Sequence, residues 1–308
     1  MNPLRSLILA AAGSDTVRRV VTGAPATRGV VDRFIAGETV TDALAVVTRL
    51  AEDGLYVTLD HLGEHTEDVQ QAEEAVQACL GLLDRLHSEG LSVRAEVSLK
   101  LSAIGLGLDE KLALDNAYRV CAAAEQCATT VTLDMEEYDS VDATLRVHAE
   151  LRRTWPWVGA VLQSYLKRTE ADAVALAQPD SRVRLCKGAY AAGAGVAHPG
   201  GHEVDLSYVR AANTLLAGDG YPMFATHDPR LIPLLRERVH WYGRKQGTYE
   251  YQMLYGVRPD EQRRLAAEGE TVRVYVPFGR NSYGYLMRRL AERPANLAFF
   301  LRSLASRS

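Results

Sequence analysis

The chain has 308 residues, of which 47% are hydrophobic and 24% are charged. This composition is typical of a folded globular protein and excludes a largely disordered chain. The formal net charge of −4 gives no overall positive field to attract nucleic acid or anionic lipid, so any anion-binding site has to be local.

The first part of the chain, residues 1–54, is predicted to form extra helices ahead of the first strand. Its apolar stretch is too short for a secretory signal, and no stretch approaches the ~18–20 apolar residues of a membrane span. The four cysteines form neither a C-x-x-C pair nor a zinc-binding spacing, which suits a reducing compartment. We therefore expect a cytoplasmic protein.

From residue 55 onward, short β-branched runs alternate strictly with longer segments of helical period. The predicted strands are residues 55–60, 93–100, 131–134, 160–163, 183–186, 223–226, 249–252 and 272–276. The clearest helical segments are residues 68–87, 111–127, 140–154, 169–177 and 207–217. Eight such units predict one (β/α)₈ barrel of the TIM type over residues 55–308. A doubly wound open sheet is the alternative.

Polar side chains share one face of two of these strands. In the second strand Glu96, Ser98 and Lys100 alternate with apolar residues, and in the third strand Thr132 and Asp134 do the same. The apolar face of each strand is expected to lie under helices, which leaves the polar face inside the barrel. A polar interior is costly unless it is hydrogen-bonded or serves a site.

Active sites of such barrels lie at the carboxyl ends of the strands. The predicted strand ends carry polar or ionisable groups on almost every strand. They are Asp60, Lys100, Asp134, Glu136, Gln163, Tyr165, Arg184, Lys187, Tyr190, Thr226, His227, Gln252 and Tyr275. Their concentration at one rim predicts an active site there.

The last predicted helix contains a one-sided polar stripe. At about 100° per residue, Tyr285, Arg288, Arg289 and Glu292 share one narrow face. Two neighbouring guanidinium groups suit a carboxylate or a phosphate. We therefore expect this helix to lie over the barrel mouth and to bind an anionic substrate, the alternative being an ordinary solvated basic face.

Three other patterns point to different chemistry. The sequence His61-Leu-Gly-Glu64-His65 matches a zinc-peptidase motif, but that motif requires a helix and Gly63 interrupts it, so no metal site is predicted. The glycine-rich run 188–195 lacks the dinucleotide and Walker spacings. Lys100 and Lys187 leave open a Schiff-base aldolase on the same barrel.

In this order the motifs resemble those of the proline dehydrogenase family, from about residue 31 to the C-terminus. The matching segments are Asp60-His-Leu-Gly-Glu64, Val97-Ser-Leu-Lys100-Leu-Ser, Asp134-Met-Glu-Glu137, Gln163-Ser-Tyr165, Arg184-Leu-Cys-Lys187-Gly-Ala-Tyr190, Ala225-Thr-His227, Tyr249-Glu-Tyr-Gln252-Met-Leu-Tyr255-Gly, Arg273-Val-Tyr275-Val-Pro and the helix from Tyr285 to Glu292. The resemblance implies oxidation of L-proline to Δ1-pyrroline-5-carboxylate by hydride transfer to N5 of a noncovalent FAD, the first step of proline catabolism.

The resemblance also assigns roles at the substrate site. It implies that Arg288 and Arg289, with Lys100, bind the proline carboxylate. The ring would be lined by Tyr190, Tyr275 and Tyr285. Asp134 would orient the network on the substrate side.

Further roles concern a gate and the cofactor. Glu64, with Asp60, would form a gate, and Glu64 would pair with Arg288 when no substrate is bound. Arg184 would lie near flavin N5. The implied FAD contacts are Gln163, Arg184, Lys187, Gly188, Ala189, Tyr190, Thr226, His227, Gln252 and Glu292.

The implied partners are a quinone as electron acceptor and a separate pyrroline-5-carboxylate dehydrogenase. The protein is expected to contact the inner face of the membrane peripherally and not to bind nucleic acid. Three alternatives remain open. They are oxidation of hydroxyproline or another cyclic amino acid, the Schiff-base aldolase, and a binding protein that keeps only the carboxylate site.

Overall fold

The computed structural model describes residues 33–280 and Tyr285. Within them, eight parallel strands pair in chain order and close into a barrel, since β1 also pairs with β8. The strands are β1 Tyr56–His61, β2 Ala95–Leu99, β3 Val131–Leu133, β4 Gly159–Gln163, β5 Arg182–Cys186, β6 Tyr221–Ala225, β7 Glu250–Leu254 and β8 Val272–Phe278. The predicted (β/α)₈ barrel is confirmed.

Helices alternate with the strands. They are α1 Val40–Glu52 before β1, and then α2 Val69–Ser88, α3 Glu110–Gln126, α4 Val141–Arg152, α5 Thr169–Leu176, α6 Gly201–Ala217, α7 Leu231–Trp241 and α8 Pro259–Ala267, one after each of β1 to β7. Short 3₁₀ helices follow β2 at Ser102–Ile104 and β3 at Tyr138–Ser140. Among the described residues, no helix is both long and apolar enough to cross a membrane.

Local sequence signals explain where the main helices begin. The side chain of Asp68 caps α2 by accepting a hydrogen bond from the Gln71 amide at 2.8 Å, and Asp109 caps α3 in the same way. Thr39 and Asp42 form a reciprocal capping box at α1. Each of these helices buries one apolar face against the strands.

Helix α1 packs on the outer face of β1 and β8 and shares their hydrophobic core through Leu44, Val47 and Leu50. The Ala36 amide at its entry donates to the Pro277 carbonyl of β8 at 2.9 Å. Helix α1 therefore occupies the outer position between the last and first strands, where the eighth helix of a (β/α)₈ barrel usually packs. The domain boundary after residue 54 stays a prediction.

The two faces of the strands have opposite character. Outward residues such as Leu59, Val97 and Leu133 are fully buried under the helices and form one continuous apolar shell. Many inward residues are polar and also buried, and they form an ionic network inside the barrel. At one contact of β3 with β4 the chain requires Gly159, because a Cβ there would lie 2.7 Å from Thr132 Oγ1.

The predicted strand positions are confirmed to within a few residues, with differences that have local causes. Strand β2 begins at Ala95 and not at residue 93, because the amides of Arg94 and Ala95 both donate to the Leu91 carbonyl in a turn. Strand β8 continues to Phe278, past the predicted end at residue 276, because it stays paired with β1 up to His61.

Candidate active site

Asp134 is the centre of the polar network at the carboxyl end of the barrel. Its Oδ1 accepts hydrogen bonds from Ser98 Oγ at 2.6 Å and from Arg184 Nη1 at 2.7 Å. Its Oδ2 accepts one from Tyr275 Oη at 2.6 Å and lies 3.6 Å from Lys100 Nζ. Burial would raise the pKa of Asp134, but Lys100 and Arg184 outweigh it, so the pKa lies below the ordinary value. Asp134 is therefore a fixed anion that holds side chains from β2, β5 and β8 together.

Lys100 directly follows β2 at the carboxyl end of the barrel, and its side chain is only 6% exposed. Its ammonium pairs with Asp60 at the end of β1. Burial would lower the pKa of Lys100, but Asp60 and Asp134 outweigh it, so the pKa lies above its ordinary value. Lys100 is consequently charged at neutral pH, whereas a Schiff-base lysine has to react as a neutral amine. This charge state disfavours a Schiff base at Lys100.

Arg184 lies deeper than predicted. It occupies the middle of β5, inside the barrel, and not the strand end at which the sequence placed it. Its Nε donates to Gln252 Oε1 at 2.6 Å, and its guanidinium carbon stands 5.2 Å from the centre of the Tyr275 ring. The guanidinium thereby links β5 to β3, β7 and β8 below the mouth.

A second ionic layer lies under the first. Glu96 accepts hydrogen bonds from Arg182 at 2.8 Å and from Thr58 at 2.8 Å, and lies 3.5 Å from Arg184. Arg273 binds Glu250 through two hydrogen bonds of 2.7 and 3.1 Å. Taken together, the two layers set the cations Lys100, Arg182, Arg184 and Arg273 against the carboxylates Asp60, Glu96, Asp134 and Glu250.

The loop after β5 approaches β4 very closely at Gly188. This residue has φ +93°, and a Cβ there would lie 2.2 Å from the Tyr165 ring and 2.8 Å from Gln163 Oε1. The Gln163 amide nitrogen donates to the Glu136 carbonyl at 2.8 Å. Its buried Oε1 has no hydrogen-bond partner among the described residues and can accept one from a ligand. Ala189 and Tyr190 follow in the same partly buried loop.

Lys187 and the residues after β6 form a neighbouring group. The Lys187 ammonium binds Asp205 Oδ1 at 2.5 Å and Asp228 Oδ2 at 2.9 Å. Thr226 is buried, and its hydroxyl accepts from the Asp228 amide at 3.1 Å. His227 Nε2 accepts from the Leu254 amide at 2.8 Å, which fixes that nitrogen without a proton. These residues lie at the rim where the sequence predicted cofactor contacts.

Residues 62–67, after β1, form an irregular loop and not the helix that the zinc-peptidase pattern requires. Glu64 lies in this loop. Its carboxylate contributes to raising the pKa of Lys100, so the loop places a negative charge near the buried lysine. That arrangement is compatible with the predicted gate.

The predicted clamp lies outside the described residues, since these do not include Arg288, Arg289 or Glu292. Tyr285 is described, and its side chain is buried. Helix α1 packs at the outer position between β8 and β1, which an eighth helix occupies in most (β/α)₈ barrels.

Several charged residues of the network were missed at the sequence level. Arg182, Glu250 and Arg273 lie two positions before the predicted residues Arg184, Gln252 and Tyr275, respectively. Residues two positions apart on a strand point to the same face, so these side chains also point inward. Strand alternation applied to β5, β7 and β8, as it was to β2 and β3, would have found them. Asp205 and Asp228 carry no comparable signal.

The chain is similar to known proteins over most of its length. A family model described as Proline dehydrogenase matches residues 43–302. "Proline dehydrogenase" of Deinococcus radiodurans is 39% identical over 278 residues, which cover 89% of this chain and 89% of that protein. "Proline dehydrogenase 1" of Bacillus subtilis is 37% identical over 272 residues, covering 88% and 89%.

Solved structures with the same fold come from larger proteins. The crystal structure of proline utilization A (PutA) from Bdellovibrio bacteriovorus, inactivated by N-propargylglycine, superposes with a TM-score of 0.81 at 25% identity. The match covers 94% of this chain and 36% of that chain, so the present chain spans about a third of it.

Proposed function

The chain belongs to the proline dehydrogenase family and is an oxidoreductase that acts on proline; on this premise we propose that it converts L-proline to Δ1-pyrroline-5-carboxylate with a noncovalent FAD. The reaction removes a hydride from the ring carbon beside nitrogen and a proton from the nitrogen. FAD, when bound, supplies the hydride acceptor at its N5 atom. The residues of the chain have to bind and orient the substrate.

The charge balance at the mouth is the observation that carries this proposal. Among the described residues there, Lys100 and Arg184 are each neutralised by a carboxylate, Asp60 and Asp134 respectively. An incoming carboxylate therefore needs positive charge beyond this balanced set. We propose that Arg288 and Arg289 supply it, with Lys100 as the third cation of the clamp.

The residues predicted to hold FAD offer suitable chemistry. Gln163 presents a buried amide oxygen with no hydrogen-bond partner in the described part of the chain, which suits a flavin ring N–H. Lys187 and Thr226 add a cation and a hydroxyl at the same rim. We propose that the other contacts come from Arg184, Gly188, Ala189, Tyr190, His227, Gln252 and Glu292.

We propose that Tyr275 contacts the ring of the substrate, together with Tyr190 and Tyr285. Burial and the neighbouring Asp134 raise the pKa of Tyr275 well above its ordinary value, so its hydroxyl stays protonated. The hydrogen bond to Asp134 fixes the ring, and we propose that a ring held in this way disfavours a 4-hydroxyl substituent on the substrate. We therefore propose proline, and not hydroxyproline, as the preferred substrate.

The reaction requires an electron acceptor for the reduced cofactor and an enzyme that consumes the product. We propose a quinone as the electron acceptor, reached by contact with the inner face of the membrane from the cytoplasm. The product is passed, in this proposal, to a separate pyrroline-5-carboxylate dehydrogenase.

Steady-state turnover tests the substrate assignment. With a dye as electron acceptor, the purified holoenzyme is expected to oxidise L-proline with a kcat/KM at least roughly tenfold above that for hydroxyproline, because a poorly accommodated hydroxyl costs a few kcal/mol in the transition state. Equal turnover of both, or turnover of hydroxyproline alone, would move the assignment to the cyclic amino acid alternative. A carbonyl substrate trapped on the protein by borohydride would support an aldolase instead.

A further inference from the structure

Asp60, at the carboxyl end of β1, uses only one of its two carboxylate oxygens. Its Oδ1 pairs with the ammonium of Lys100. Its Oδ2 is buried and has no hydrogen-bond partner among the described residues, and the residue as a whole is 2% exposed. A buried acceptor without a donor is costly, and in native proteins such a group commonly has a functional role or binds an ordered molecule.

The other carboxylates buried at this end of the barrel accept hydrogen bonds at both oxygens. In the described part of the chain they are Asp134 and Glu136. Asp134 accepts at Oδ1 and at Oδ2, as described above. Glu136 accepts from Ser102 twice, at Oε1 from the amide at 3.1 Å and at Oε2 from the hydroxyl. Of the three, Asp60 is therefore the carboxylate that has an oxygen available for a ligand.

The titratable neighbours of Asp60 leave this oxygen without a charged partner. His61, Cys79 and Tyr275 are the groups other than Lys100 whose pKa its charge affects. Burial raises the pKa of the thiol to about 12 and that of the tyrosine hydroxyl well above its ordinary value, and it lowers the pKa of the imidazole. All three groups are consequently uncharged near neutral pH.

The proposed substrate needs a partner of this kind for its ring nitrogen. L-Proline is a zwitterion, and its secondary ammonium carries a positive charge and two N–H donors. In an α-amino acid the nitrogen and the carboxylate are attached to the same carbon, so the group that binds one has to lie beside the group that binds the other. Lys100 is proposed to bind the carboxylate, and Asp60 is the residue whose carboxylate pairs with Lys100 directly.

We propose that Asp60 is a substrate-binding residue whose Oδ2 accepts a hydrogen bond from the ring nitrogen of proline. Lys100 and Asp60 then bind the two charged groups of the substrate side by side. Binding at two points fixes the ring in rotation as well as in position before the hydride leaves. The inference rests on the proposed function, because it takes proline as the ligand.

Equilibrium binding to the reduced holoenzyme tests this role. A reduced flavin accepts no further hydride, so L-proline binds without being consumed and its dissociation constant can be measured by calorimetry. Cyclopentanecarboxylate is the second probe, because it keeps the ring and the carboxylate but has no N–H. In Asp60→Asn we expect proline to bind at least roughly tenfold more weakly, the effect of losing a hydrogen bond between charged groups. The analogue should bind no more weakly than to the wild type.

Asp139→Asn is the matched control, because it makes the same chemical change at an exposed position just after β3. It should bind both ligands as the wild type does. Equal weakening of both ligands in Asp60→Asn would mean that Asp60 only holds Lys100 in place. Unchanged binding of proline would mean that the free oxygen does not meet the nitrogen. Either result would overturn the proposal.

The wild type alone keeps the test decisive if Asp60→Asn folds poorly. We expect the reduced wild-type holoenzyme to bind L-proline at least roughly tenfold more tightly than cyclopentanecarboxylate, since only proline donates from its ring. Equal dissociation constants would contradict a hydrogen bond to the nitrogen.

Turnover separates this inference from the proposed function. In the oxidised holoenzyme, kcat/KM for L-proline should fall at least roughly tenfold in Asp60→Asn and stay at the wild-type value in Asp139→Asn. A wild type that oxidises proline no faster than Asp60→Asn does would overturn the role of Asp60 alone. If the wild type does not oxidise proline, the proposed function fails, while the binding comparison still tests Asp60.

Discussion

Replacing Glu96 by alanine is expected to lower the free energy of unfolding by about 3–5 kcal/mol, because it leaves buried positive charge uncompensated. Glu96 is the shared acceptor of the lower ionic layer, within 4 Å of Arg182, Arg184 and Arg273. Without it, the buried Arg184 and Arg273 and the partly buried Arg182 face too few carboxylates. Glu96 is only 1% exposed, and buried charges are screened much less than exposed ones.

Thermal unfolding measures this effect directly. At about 2–4 °C per kcal/mol for a domain of this size, Glu96→Ala should lower the Tm by roughly 6–20 °C. Glu73→Ala is the matched control, since Glu73 also binds an arginine, Arg119, through two hydrogen bonds of 2.6 and 2.7 Å but on the exposed surface. Its Tm is expected to stay close to the wild type. A similar, small shift for both variants would contradict a stabilising role for Glu96.

The same residue predicts a dependence of stability on pH. Burial would raise the pKa of Glu96, but Arg182, Arg273 and Arg184 outweigh it and hold the pKa well below its ordinary value of 4.5. A depressed pKa contributes stability above pH 4.5, and that contribution is lost as the pH falls toward the folded-state pKa. Below pH 4.5 the Tm of the wild type should therefore fall more steeply than that of Glu96→Ala.

Replacing either Arg288 or Arg289 by methionine is expected to raise the KM for L-proline by roughly a hundredfold, since removal of one partner of a desolvated charge pair costs about 2–5 kcal/mol. The flavin should remain bound, because most of the residues proposed to hold it lie on β4, β5 and β7 or in the loops that follow β5 and β6. Methionine keeps much of the side-chain length without the charge.

The test compares proline kinetics and flavin content in the same preparations. Arg280→Met is the matched control, because Arg280 lies shortly before the clamp and its side chain is 86% exposed. It should oxidise proline as the wild type does. If Arg288→Met and Arg289→Met also do so, the clamp is assigned to the wrong residues.

The alternation of side chains was enough to predict the barrel and its polar interior. Glu96, Ser98 and Lys100 point inward as the pattern of β2 requires, and the eight strands appear where β-branched runs indicated. Because the active sites of such barrels lie at the carboxyl ends of the strands, Asp60 and Asp134 were expected at one rim, and both of them pair with Lys100.

The pairings inside the barrel could not be predicted. Tyr275 and Asp134 share a hydrogen bond although 141 positions separate them in the chain. Such contacts depend on the register and tilt of a closed sheet, which local patterns do not encode. For the same reason Arg184 was expected at a strand end, whereas the closed barrel directs it across the interior to Asp134 and Gln252.

The place of α1 shows a similar limit. Its capping residues and apolar face predict a helix, but nothing in residues 40–52 states which groove of the barrel it fills. The position of α1 depends on the path of the preceding residues along the barrel. Hydrogen bonds fix this path, since the Ala36 amide donates to the Pro277 carbonyl of β8 and the Gly37 carbonyl accepts from the Gly279 amide.

An anaerobic titration of the purified holoenzyme with L-proline is the most direct test of the central claim, that the charge-balanced barrel mouth is a proline-oxidising flavin site. Addition of L-proline in the absence of oxygen is expected to bleach the visible absorbance of the flavin completely, with one substrate oxidised per flavin. A protein that is colourless even after FAD is supplied, or whose flavin stays oxidised in excess proline, would contradict it.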